Sequence, residues 1–100
     1  MKPLQSFNVD FDYALSEHIN LRLTAKVELH HSNPYYLVTD FYLKNHRGES
    51  PLLSDIKIKA IEESNGISWR HTDSEKESIL SAAIGKAIEE KGDVDIFFDD

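Results

Sequence analysis

Apolar and polar residues alternate along most of the chain up to Thr72, after which the period changes. Phe7, Val9, Phe11 and Tyr13 alternate with Asn8, Asp10 and Asp12. A period of two with aromatic residues predicts a half-buried strand. Leu15 to His18 reads as a turn. Ile19, Leu21, Leu23, Ala25, Val27 and Leu29 then alternate with the polar residues between Asn20 and His30. One face of this strand is apolar throughout, as in an antiparallel sheet covered on one side. It exceeds the ~5–6 residues of a typical strand, so bending or coiling is expected.

Ser32-Asn33-Pro34 marks the next turn. With these three residues as the loop, Leu29 faces Leu37, Ala25 faces Phe41 and Leu23 faces Leu43. That parity puts Tyr35, Leu37, Thr39, Phe41 and Leu43 on the covered face. Tyr36, Val38, Asp40, Tyr42 and Lys44 go to the open face. Lys26 falls opposite Asp40, a cross-strand pair contributing ~0.2–1 kcal/mol. Asn45 to Pro51 is a polar loop. The fourth strand turns Ile56, Ile58 and Ala60 inward, with Lys57, Lys59 and Ile61 outward. Asn65-Gly66 is a hairpin signal of the type I′ kind. As the loop, it pairs Ala60 with His71 and Glu62 with Trp69, which places Ile67, Trp69 and His71 on the covered face.

Beyond Thr72 the spacing is helical. Ser74 and Glu77 fit a capping box. Leu80, Ala83, Ile84, Ala87 and Ile88 form one apolar stripe, and Lys91-Gly92 ends it. Burying Leu80, Ile84 and Ile88 contributes at most ~1.5–3 kcal/mol each. In the tail, Val94 and Ile96 to Phe98 sit among Asp93, Asp95, Asp99 and Asp100. That is too apolar for a purely disordered acidic end. The tail is expected to add a strand at a sheet edge or to dock its Phe residues under the helix.

The fold these elements predict is α+β: an antiparallel four- or five-stranded β-meander with one C-terminal α-helix packed on one face. A single domain covers residues 1–100, with strands within 7–72, a helix at about 74–90 and an acidic-aromatic tail at 93–100. One hundred residues supply one core and no second.

Charge changes this picture by its placement. The net charge is −7. Residues 1–71 hold eight Lys/Arg against nine Asp/Glu, and residues 72–100 hold three against nine. The acidity therefore belongs to the helix and tail, and the sheet is close to neutral. The chain has no cysteine, which excludes disulfides, thiolate metal sites and thiol nucleophiles. No apolar run approaches the ~18 residues of a membrane span. Met1 to Phe7 lacks the features of a signal peptide. A cytoplasmic protein with no membrane contact is expected.

Catalytic chemistry has no constellation behind it. The four glycines are scattered, so no phosphate-cradling loop is expected. No motif sets a serine nucleophile on a strained turn. His30 and His31 point to opposite faces of a strand and cannot chelate one ion. The tail carboxylates lack the frame of a calcium loop. No enzyme activity, cofactor or metal is expected.

The open sheet face carries the strongest functional signal. Parity places the cations Arg22, Lys26, Lys57, Lys59 and Arg70 there with Lys44. Tyr36, Val38, Tyr42 and Ile61 lie among them. The apolar members exceed what a solvated face requires, which points to self-association or a protein partner. The expected function is a small non-catalytic protein-interaction module, a homodimer joined through this face or an edge strand. Cations beside rings also suit a single-stranded nucleic-acid groove, which is the alternative. The element order with a basic, aromatic open face resembles the coactivator and whirly-type single-strand binders, without a shared motif. Asp10, Asp12, Glu28, Asp40, Asp55 and Glu63 share the face, and a plain solvated surface has this composition too.

Overall fold

A computed structural model of the chain describes residues 5–14, 16–30, 34–44, 50–92 and 96–98. Leu15, His31 to Asn33, most of the 45–51 loop and the tail residues Asp93, Val94, Asp95, Asp99 and Asp100 lie outside the described residues. Five strands follow in order: β1 (Gln5–Ala14), β2 (Asn20–His30), β3 (Tyr35–Leu43), β4 (Ile56–Glu63) and β5 (Gly66–His71). They form one antiparallel meander in sequence order, β1-β2-β3-β4-β5. The helix α1 (Ile79–Glu90) packs against both β1 and β5, so the sheet curls to bring its two ends to one helix. The α+β meander expected from the alternation is the fold.

The β1–β2 ladder is unbroken from Gln5↔Leu29 to Ala14↔Asn20. Val9, Phe11, Leu23, Ala25, Val27 and Leu29 are buried beneath it. Ile19, expected inside, precedes β2 and is 51% exposed. The β2–β3 pairing departs from the predicted parity. Leu23 faces Leu43 as expected, but Leu29 faces Tyr36 and Val27 faces Val38. The register shifts between Thr24 and Lys26, where Asp40 sits at φ 55° as the extra residue of a β-bulge. Asp tolerates this left-handed backbone better than most residues, because its short polar side chain bonds locally. Tyr36 and Val38 are therefore core residues with no exposed surface, and Asp40 is no partner for Lys26, which faces Thr39. Phe41 and Leu43, beyond the bulge, keep the expected inward face.

The β4–β5 hairpin keeps its parity and shifts by two. Ala60 pairs with Trp69 and Glu63 with Gly66, so Ser64-Asn65 are the loop. The positive φ falls on Gly66, at 131°, and not on Asn65, so the turn is not type I′. Trp69 stays inside. Its ring meets Tyr36 at 5.3 Å and lies against Gly85 of α1. A Cβ at Gly85 would come within 2.0 Å of the indole. Glycine in a helix interior costs ~1 kcal/mol relative to alanine, and here it lets α1 lie directly on Trp69.

The helix begins four residues later than the first capping frame suggests. Ser78 is the N-cap, and it exchanges hydrogen bonds with Ser81 in a capping box. Ser74 belongs instead to a turn ahead of Glu75, which has φ 58°. Ile84 and Ile88 are buried and Leu80, Ala83 and Ala87 pack beside them, as the stripe requires. Gly92 follows the helix at φ 76°. Among the described residues no helix is long and apolar enough to cross a membrane.

Candidate interaction surfaces

The open face is built from the outward residues of the strands, and the bulge changes its membership. Tyr36 and Val38 leave it for the core, and Tyr35, Leu37 and Thr39 take their places, each half-buried. Tyr42 and Lys44, beyond the bulge, remain outward, with Tyr42 level with Thr24. His30 stacks flat on Tyr35 at 4.6 Å, and the Lys57 ammonium lies 5.4 Å above the same ring. Ile61 is half-buried on β4. Both faces of residues 35–39 are apolar enough to be buried, so alternation there does not choose between them. The signal for the switch is Asp40, a residue tolerant of positive φ between two aromatic-apolar runs.

Cations on this face are largely neutralised in place. Arg22 pairs with Asp12 at 3.2 Å, directly across the β1–β2 ladder. Lys26 pairs with Glu28 at 3.3 Å, Lys59 with Glu75 at 2.9 Å and Arg70 with Glu63 at 2.8 Å. Lys44 bonds Asp10 and holds its carboxyl below the usual carboxylate range, against the opposing effect of partial burial. Surface pairs of this kind contribute ~0–1 kcal/mol each to stability. Their larger consequence is electrostatic: little uncompensated positive potential is left. Among the described residues of the face, Lys57 alone has a ring and no carboxylate within ion-pair distance.

The sheet has two end strands, and their outer edges differ. Residues after β5 fold back along it. The backbone N–H of His71 donates to the Lys76 carbonyl at 3.0 Å, and Arg70 bridges Glu77 in antiparallel fashion. The Glu77 carboxylate accepts the Trp69 backbone N–H at 3.2 Å. That use of Glu77 explains why it does not serve the capping frame at Ser74. The ten residues of β1 pair with β2 on one side only, and among the described residues nothing pairs with the other side. Beside that free edge lies a groove of about 260 Å³. Ala83, Lys86, Ala87 and Glu90 of α1 line it together with Asp12 of β1 and Arg22 of β2.

A Ser–His contact exists and is structural. His71 Nε2 lies 2.8 Å from Ser78 Oγ. That oxygen already accepts the Ser81 backbone N–H as the helix cap, at 3.0 Å. Among the described residues no carboxylate orients the other ring nitrogen, so the geometry lacks the third member a nucleophile–base pair needs. No three His, Asp or Glu among the described residues converge on a metal position.

Compared with protein-family models, with curated proteins and with solved structures, the chain matches none.

Proposed function

We propose that the protein is a small non-catalytic interaction module that self-associates, joining two copies through the outer edge of β1. The observation that carries this reading is the contrast in edges: β5 is covered by the chain's own residues 76–77, and the outer edge of the ten-residue β1 has no partner among the described residues. An unpaired strand edge is a template for another strand. Two copies of β1 can pair antiparallel about a two-fold axis, the commonest symmetry of soluble oligomers. Asp10 and Asp12 of the two copies would approach one another in that arrangement. Lys44 and Arg22 already compensate them, which lowers the repulsion. The small side chains of Ala83 and Ala87 leave room beside the joined edge.

Light scattering tests the reading. The expected mass is near twice 11.5 kDa at high concentration. A strict monomer there removes it. We place the action of the module in the cytoplasm, which cell fractionation tests separately.

A second reading, a single-stranded nucleic-acid binder on the open face, is favoured by one cluster: Tyr35 stacked on His30 with Lys57 above it. Bases stack on such rings. It calls for oligonucleotide binding that weakens steeply with salt and that Lys57→Glu combined with Lys59→Glu abolishes. Absence of binding at low salt removes this reading.

A further inference from the structure

Backbone direction along β1 decides which residues its outer edge offers. The Lys44 backbone N–H donates to the Arg22 carbonyl at 2.9 Å, so the backbone of Arg22 points to β3. Successive residues of a strand point their backbone groups to opposite edges, so Leu21 and Leu23 point to β1. Their partners Tyr13 and Phe11, and with them Val9 and Phe7, point back to β2. The Val9 carbonyl has this direction, since it accepts the Thr24 hydroxyl at 3.2 Å. The residues whose N–H and C=O face outward are therefore Ser6, Asn8, Asp10, Asp12 and Ala14. Their side chains belong to the open face, where Lys44 holds Asp10 and Arg22 holds Asp12. Along this edge two neutral donors, Ser6 and Asn8, precede two carboxylates. That order is complementary to its own reverse about Val9.

We infer that the β1 edge selects a second copy of this chain in one register, with Asn8 opposite Asp10, Ser6 opposite Asp12 and the two-fold axis at Val9. The inference rests on self-association through β1 and specifies how the copies meet. Outward residues opposite one another exchange both backbone hydrogen bonds, and their side chains share a face. Each carboxylate then meets a neutral donor, the Asn8 amide or the Ser6 hydroxyl. A carboxylate has about four acceptor sites, so its bond to Lys44 or Arg22 leaves room for this one. On the covered face Val9 meets Val9 and Phe7 meets Phe11. Carboxylates of the two copies come no closer than diagonal neighbours, roughly 7–8 Å apart. The adjacent registers lose this match. A shift of two residues one way sets Asp10 against Asp10 on the axis, and like charges directly opposite are destabilising. The shift the other way sets Asn8 against Asn8 and takes Asp12 away from Ser6. The occupant is a second copy because the reversed order that satisfies this edge is the edge's own.

The absence of cysteine gives a clean test. A disulfide needs Cα atoms within ~7 Å, which residues directly opposite satisfy at about 5.5 Å and diagonal ones do not. The full chain is made as Asn8→Cys and as Asp10→Cys, and the two are mixed and oxidised at a concentration where light scattering shows the wild-type chain doubled. Mass spectrometry is expected to find a linked dimer of one chain of each kind, with little of either variant linked to itself. Ser6→Cys mixed with Asp12→Cys is expected to link in the same way. Asn8→Cys or Asp10→Cys linked chiefly to itself marks one of the adjacent registers and overturns the inference, while self-association stands. A wild-type chain that doubles while neither mixture links overturns it too. A wild-type chain that never doubles removes it together with the reading it rests on.

Discussion

The two edges of this sheet are handled in opposite ways. At β5 the chain turns at Glu75, returns along the strand, and uses a carboxylate and a carbonyl to satisfy outward backbone donors. The same turn leads into the Ser78 cap and lays Gly85 on Trp69. One short segment thus closes an edge, starts a helix and seats the largest core ring. At β1 the outer edge has no partner among the described residues, and α1 approaches it with alanines in place of a close-packed ring. The difference teaches where stability and interaction are separated: both end strands bury one face, but the outer edge of β5 is closed and that of β1 is left as surface. A bare edge of ten residues is a hazard unless another strand is meant to meet it.

Substitutions at matched positions of α1 should break that contrast most strongly. Gly85→Ala adds one methyl where the indole already sits, and overpacking of this kind costs about 3 kcal/mol. Chemical denaturation should show a loss of that size, a large fraction of a small domain's stability. Ala87→Leu adds more atoms on the β1 side, where the groove accepts them. It should change stability by under ~1 kcal/mol and should abolish self-association by light scattering. Equal destabilisation by the two substitutions would contradict the division between ends.

Intermediate effects are expected where the β5 edge is closed. Glu77→Ala leaves the Trp69 backbone N–H without its acceptor, at a cost of ~1–3 kcal/mol. It should also increase aggregation on heating, because it uncovers a second edge. Ser78→Ala removes the helix cap and should cost about 1 kcal/mol in the same denaturation assay.

The smallest effect concerns pH at the β1 end. Asp10 has a lowered folded pKa through its bond to Lys44. Such a carboxylate contributes stability that is present above its ordinary unfolded value near ~3.9 and is lost as pH falls through the lower folded value. Solvent screening makes the contribution modest. Asp10→Asn should therefore lower the neutral plateau of the stability profile by that modest amount and leave the acid end nearly unchanged, so that the acid limb is slightly flatter, as denaturation at a series of pH values followed by circular dichroism would show.

Much of the fold is legible in the residues. The alternation from Phe7 to Leu29 fixes two strands and their inward face, and the helical stripe fixes which side of α1 is buried. The β4–β5 parity follows from Ile58, Ala60 and Trp69. What alternation cannot resolve is a stretch in which both faces are apolar. Tyr35-Tyr36-Leu37-Val38 is such a stretch, and one residue in the left-handed region, Asp40, reverses its faces. The start of α1 is ambiguous for a similar reason. Two capping frames overlap at Ser74 and Ser78, and the choice is made by a tertiary contact, the Glu77 carboxylate on Trp69. Of the candidate face, Arg22, Lys26, Tyr42, Lys57, Lys59, Ile61 and Arg70 lie on the predicted side, and Tyr36 and Val38 do not. The neutralisation of its cations depends on register and on the returning segment at Glu75, neither of which composition reveals.

Amide hydrogen exchange along β1, followed as a function of protein concentration, tests the central claim most directly. Successive backbone N–H groups of a strand point to opposite edges, so only every second amide from Gln5 to Ala14 faces outward. In dilute solution those outward amides should exchange rapidly, while their neighbours bonded to β2 are protected. In concentrated solution the outward set should become protected as the mass doubles. Outward amides that stay unprotected at every concentration would contradict the account.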